Sequence, residues 1–311
     1  MRKRNLRGGG GYKLNSKPSI FKPIIASSLA LALGVSVGNG QDHSGSGDIT
    51  GVGEHNILSG SYSGNIKRPN GSGDMMTVNV GTTSKVIFTG SIGGNELNDP
   101  KTADLVVNFL NGSTLQGNIE TAANYFAENR VTFTSGASTS SLDASNNFVM
   151  TGNIISRGTG YGSGYLGTEN GNHIVFEQGS MKGNIEVSRD PYRRLGYNEV
   201  TFKQQGAILE GKIIASGSAP SSNNENKQAT NKVSFTNGGI VRGEIRADHS
   251  GLTNDPLAGK NVIDFSGNSR SSIEGSINAQ AGTNNITFSG TSANTICKTN
   301  FVGCLFVFII R

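Results

Sequence analysis

Residues 198–213 read Asn198-Glu-Val-Thr-Phe202-Lys-Gln-Gln-Gly-Ala-Ile-Leu-Glu-Gly211-Lys-Ile213. Two short patterns meet in this stretch, Asn-x-Val/Ile-x-Phe and Gly-x-Ile. In each, apolar residues fall two apart, the period of a strand with one buried face. Along the chain the segments between such strands are rich in Gly, Asn, Ser and Asp, which form turns. The same pair recurs in both directions. The first pattern is also found at Asn129–Phe133, Asn172–Phe176, Asn231–Phe235, Asn261–Phe265 and Asn284–Phe288. Ser84-Lys-Val-Ile-Phe88 and Leu105-Val-Val-Asn-Phe109 read as copies without the asparagine. The second pattern ends at Ile66, Ile92, Ile119, Ile154, Ile185, Ile213, Ile245 and Ile277, so the two alternate along the chain.

Successive Gly-x-Ile copies lie 26 to 35 residues apart, with no helical stripe between them. That disfavours a doubly wound α/β sheet. A propeller blade needs four strands in roughly 40–45 residues, whereas each unit here offers two clear strands and a weak third. A series of small β domains is the remaining rival. The spacing fits one coil per unit, so the expected fold is all-β, a right-handed parallel β-helix of about eight irregular coils with extruded loops. Phe, Val and Ile form inner stacks. The asparagine is expected at a turn that tolerates left-handed geometry, where it can build a hydrogen-bonded ladder. Composition agrees: 34% of the 311 residues are apolar and 45 are glycine, too few large side chains for a broad leucine-rich core.

Charge separates a leader from the body. Residues 1–41 carry seven basic side chains and no acid; 27 basic residues less these seven leave 20 against 22 acids, a net of −2. The basic balance therefore describes the leader, and nucleic acid is not an expected partner. The leader joins a basic segment ending at Lys22-Pro23 to an apolar run, Ile24–Val37, with small residues up to Gly40. These are the parts of an export signal, and the run is too short for the ~20 residues of a spanning helix. The expected organisation is a signal peptide over 1–40, repeats over 41–290 and an atypical hydrophobic tail over 291–311, without a stable membrane span in the mature chain. Both cysteines, Cys297 and Cys304, lie in that tail, so no disulfide framework holds the body.

The alternating Asn-x-[Val/Ile]-x-Phe and Gly-x-Ile segments, with the leader segment Phe21–Leu33, resemble passenger domains of type V autotransporters, especially the vacuolating-cytotoxin-like group. The resemblance covers about residues 21–288. It implies a β-helix exported from a Gram-negative cell to the periplasm, surface or exterior, acting as an adhesin- or toxin-like module on a host-surface protein or glycan. The family's C-terminal translocator barrel has no counterpart after Phe288, and from Thr295 the chain reads Thr-Ile-Cys-Lys-Thr-Asn-Phe-Val-Gly-Cys-Leu-Phe-Val-Phe-Ile-Ile-Arg, off the repeat pattern. That absence leads to the expectation of a frame-truncated fragment, with a strand capping the open end as the alternative.

No cofactor, metal or catalytic set is expected. His43, His55, His173 and His249 are far apart and lack metal-ligand spacing. Gly158–Gly164 lacks the Lys-Ser/Thr of a phosphate loop. Three Asp-Pro steps, at 99–100, 190–191 and 255–256, read as turns. Glu210, Glu244 and Glu274 could stack into an acidic line on a solvated face, the one feature favouring a carbohydrate-active enzyme. The densest group of Arg and Tyr, residue types favoured at interfaces, gives the candidate contact loop: Arg189, Tyr192, Arg193, Arg194 and Tyr197.

Overall fold

Strict alternation in Asn-x-Val-x-Phe sends Asn, Val and Phe to the same side of a strand. The computed structural model describes residues 40–310 apart from 70–73, 95–101, 124–125, 137–146, 159–169, 190–195, 218–228, 250–258, 281, 290–294, 298–299 and 303–304. In it these strands form an eleven-stranded parallel sheet, one strand per coil, from Gln41–His43 to Leu305–Ile310. Register is preserved between coils: Asn198 lies opposite Asn172 and Asn231, Val200 opposite Ile174 and Val233, Phe202 opposite Phe176 and Phe235. Among the described residues there is no helix, and hence none long and apolar enough to cross a membrane.

Seven phenylalanines, from Phe109 to Phe288, make one buried column. Neighbouring rings are 4.5 to 5.0 Å apart and within 3 to 9° of parallel. The ring spacing is that of the strands, about 4.8 Å. Isolated aromatic pairs favour offset or edge-on geometry by only about 0.5–1.5 kcal/mol, less than the roughly 1.5–3 kcal/mol gained by burying each side chain. Register wins.

The asparagines occupy a parallel column in the same sheet, with the Val/Ile column between the two. Asn129, Asn172, Asn198, Asn231, Asn261 and Asn284 are fully buried. Each of the first five donates one Nδ2 hydrogen to Oδ1 of the next, at 2.8 to 2.9 Å. Their other hydrogen goes to a backbone carbonyl of the second sheet, for instance Asn198 to Ile214 at 2.9 Å. The ladder is as expected, but its place is not a turn. These asparagines sit inside strands, and among the described residues only Asn111 combines a side chain with positive φ, at 53°. A carboxamide both donates and accepts, so one per coil forms a chain across the apolar interior with its hydrogen bonds satisfied.

The other two strands of each coil build a seventeen-stranded parallel sheet that turns a corner at the glycine of Gly-x-Ile. Gly211 has φ +147, and a Cβ there would lie 1.9 Å from the carbonyl oxygen of Gly183 in the preceding coil. Only glycine permits that backbone contact.

Three sequence expectations change. Val86–Thr89 belongs to the second sheet, where Phe88 lies opposite Tyr62 and Leu115; the first-sheet strand of that coil is Met76–Val80. Both sheets bury alternate residues, so Val-x-Phe alone does not distinguish them. The first sheet has eleven rungs rather than eight, because Gln41–His43, Gly53–Ile57, Met76–Val80 and Leu305–Ile310 stack without the motif, beside seven strands that carry it. Beyond the repeat, Thr295–Cys297, Asn300–Val302 and Leu305–Ile310 pair in register with the preceding coil, as a capping strand would. The leader reading concerns residues 1–39, outside the described residues.

Candidate functional site

Alternation that buries Asn, Val and Phe turns the intervening residues outward, and register lines them up from coil to coil. Arg130, His173, Glu199 and Lys232 occupy one such line on the first sheet. Glu128 and Asp104 share the next position, on adjacent strands.

These side chains form a continuous chain of charge. Arg130 Nε donates to Glu128 Oε1 at 2.6 Å. His173 lies between two carboxylates, with Nε2 3.6 Å from Glu128 and Nδ1 3.5 Å from Glu199. Lys232 Nζ donates to Glu199 Oε1 at 2.6 Å. Burial pushes the Glu199 carboxyl up, but the Lys232 hydrogen bond, with the charges of Lys232 and His173, outweighs it and holds Glu199 below its ordinary value. Asp104 moves the other way: desolvation raises it first and the neighbouring Glu128 adds to the rise, against Arg130 and Arg68. Each ion pair keeps contact with water, so each is worth at most about 1 kcal/mol. The chain is a patterned polar surface more than a source of stability.

Of the predicted contact loop, Tyr197 stands on this face: it is the second residue of the strand Gly196–Phe202, half-buried, its ring 5.5 Å from that of His173. The backbone of Arg189 closes the strand before it. Tyr192, Arg193 and Arg194 lie outside the described residues, as do all three Asp-Pro steps, Cys304 and the glycine run after Gly158.

The acidic line does not form. Glu210 and Glu274 share a column, but Arg242 stands between them and binds Glu274 at 2.9 Å, while Lys182 binds Glu210 at 2.7 Å. Glu244 lies in another column, within 3.4 Å of Lys212 and 3.6 Å of Arg246. Basic residues alternate with the acids because like charges directly opposite each other repel across strands.

The histidines also depart from expectation. His43 and His55, twelve positions apart, are brought side by side by the first coil, Nε2 to Nδ1 3.3 Å. Among the described residues no group of three or more His, Cys, Asp or Glu side chains could hold a metal ion. Sequence reasoning missed Asp104, Glu128 and Arg130. The available signal was alternation: Glu128 and Arg130 stand three and one residues before Val131, and Asp104 three before Val107, so the period that buries the valines turns them outward.

Fold and face together define a parallel β-solenoid with three strands per coil and a charged outer sheet. Comparison of the chain with protein-family models, with curated proteins and with solved structures finds no match.

Proposed function

We propose that the protein is an exported, passenger-like interaction module, surface-displayed or secreted, that works through contacts with a host-surface protein or glycan and not through catalysis. One observation carries this reading. Six connections between the last strand of one coil and the first-sheet strand of the next span 8, 7, 11, 6, 12 and 10 residues, between Lys67 and Met76, Gly94 and Thr102, Gly158 and Asn170, Arg189 and Gly196, Gly217 and Thr230, and His249 and Lys260. These six leave at one corner of the stack, and one of 14 residues, between Phe133 and Phe148, leaves at another. In solenoids, insertions gathered at one edge of a constant coil are where binding surfaces arise. The leader supports export.

The test has two arms. Residues 1–40 fused to a reporter active only in the periplasm should confer activity. Binding of the purified chain to host-cell surfaces and a glycan array should weaken when Tyr192, Arg193, Arg194 and Tyr197 are changed together to alanine. A silent reporter overturns export, and binding indifferent to the loop overturns the contact site. The rival, a glycan-cleaving enzyme, rests on Asp104, whose raised carboxyl stands beside Glu128 as a general acid would require. Glycan cleavage lost in Asp104→Asn would replace the contact reading with that one.

A further inference from the structure

The N-terminal mouth of the solenoid breaks the rule that the interior columns obey elsewhere. His55 holds the position occupied by Val78 in the next coil, and His43 lies opposite Ile57 in the column that later carries phenylalanine. Two imidazoles thus replace an aliphatic pair on the inner face. His55 is fully buried, and its Nε2 has no hydrogen-bond partner. An orphaned buried polar atom costs about 1–3 kcal/mol, which valine would avoid. Stability alone does not explain these histidines.

Their geometry does suggest a use. His43 Nε2 and His55 Nδ1 are 3.3 Å apart, with ring centroids 5.4 Å apart and planes tilted by 38°. A neutral N–H···N hydrogen bond spans that distance. Two histidine nitrogens each about 2.0–2.1 Å from a tetrahedral cation are about 3.3–3.4 Å apart, so the same separation also admits a shared metal.

With His55 Nδ1 as the ligand, the ring proton sits on Nε2, beside the Gly51 backbone. The nearest acid in sequence, Asp42, lies on the outward side and accepts from Asn56 at 3.2 Å. Two nitrogens and no carboxylate suit borderline transition cations over Mg²⁺ or Ca²⁺, with water completing the coordination.

We propose that His43 and His55 form a two-histidine site for a divalent transition cation of the zinc, nickel and copper class, tying the first strand of the solenoid to the second. Occupation would pin Gln41–His43, the end rung of the first sheet, onto Gly53–Ile57.

Calorimetric titration of the untagged full chain with Zn²⁺, Ni²⁺, Cu²⁺ and Mg²⁺ tests it. One equivalent of each transition metal should bind, copper tightest, and Mg²⁺ should not. Loss of an outer-shell partner alone costs 10–100-fold, so His43→Ala and His55→Val should each weaken binding by at least about tenfold. His173→Ala should leave it unchanged. Because His55→Val copies the next rung, it should fold. Zinc should also slow amide exchange across residues 41–57 in the wild type and not in His43→Ala. Binding that survives both mouth variants, or no binding at millimolar metal, overturns the proposal.

Discussion

Replacing Asn198 by alanine removes three hydrogen bonds at once. Asn172 Nδ2 loses its acceptor, formerly at 2.8 Å; Asn231 Oδ1 and the Ile214 carbonyl each lose a donor formerly at 2.9 Å. Both asparagines are fully buried, where water does not replace a lost partner. Two orphaned side-chain atoms at about 1–3 kcal/mol each, with a small cavity added, give an expected loss of about 3–5 kcal/mol. The last rung supplies the control. Asn284 accepts from Asn261 at 2.8 Å, but its own Nδ2 is already without a partner. Asn284→Ala creates one orphan while removing another, so its cost should stay near 1 kcal/mol. The difference, about 3 kcal/mol, is roughly a hundredfold in a folding equilibrium. Urea midpoints for the two variants, with amide exchange to locate the loosened coil, measure it. Asn198→Asp sharpens the test: its carboxylate would face Asn231 Oδ1 and the Ile214 carbonyl, so folding would raise its pKa. Stability should then recover as pH falls below that raised value. Equal midpoints for Asn198→Ala and Asn284→Ala would refute the ladder as a source of stability.

Gly60→Ala should cost about 1–2 kcal/mol, for φ +83 alone, since nothing lies within 4 Å of a Cβ there. Gly211→Ala should cost at least twice as much in the same melts, because its Cβ would meet the Gly183 carbonyl. Phe235→Ala should lose about 3–5 kcal/mol as a buried aromatic in a continuous stack. Lys232→Ala, on the outer face, should lose about 0.5 kcal/mol; equal losses for these two would mean that the strand faces are misassigned. Glu199 is lowered on folding, so its contribution is present above its unfolded pKa and fades as pH falls through the folded one. The small effect of Lys232→Ala should therefore vanish in acid, and an effect that grows in acid would contradict the pairing.

Much of the interior was legible because its information is local. Val233 and Phe235 are two apart, and the strand period alone puts both inside, as observed. The asparagine column was legible as a ladder but misplaced at a turn: Asn231 is also two residues before Val233, and the same alternation sends it inward. Single-residue propensity favoured turns, while the periodicity, correctly followed, favoured the core. The charged outer face was less legible. Arg130, His173, Glu199 and Lys232 lie 26 to 43 residues apart along the chain, and only the register of unequal coils makes them neighbours. His43 and His55 remained separate for the same reason.

The segment after Phe288 separates what the coil requires from what the motif supplies. Its last eight residues carry no Gly, Asn or Ser, yet Leu305–Ile310 pairs with Thr283–Phe288, putting Phe308 opposite Ile286 and Ile310 opposite Phe288. Backbone ladder bonds and two apolar columns suffice to extend a parallel sheet by one rung, and an apolar strand of six residues satisfies both. The third column is where the substitution tells. Phe306 stands opposite Asn284, where every rung from Asn129 onward has another asparagine, and Asn284 Nδ2 is left without an acceptor. Apolar burial specifies that a further strand can stack; the carboxamide chain specifies which strand completes the stack. Phe306→Asn should supply the missing acceptor and extend the ladder by one rung. A gain of about 1 kcal/mol in urea melts, the net worth of one hydrogen bond, is the expected result. A loss of similar size would mean that contacts of Phe306 outweigh the orphaned amide, and that the ladder does not govern the end of the solenoid.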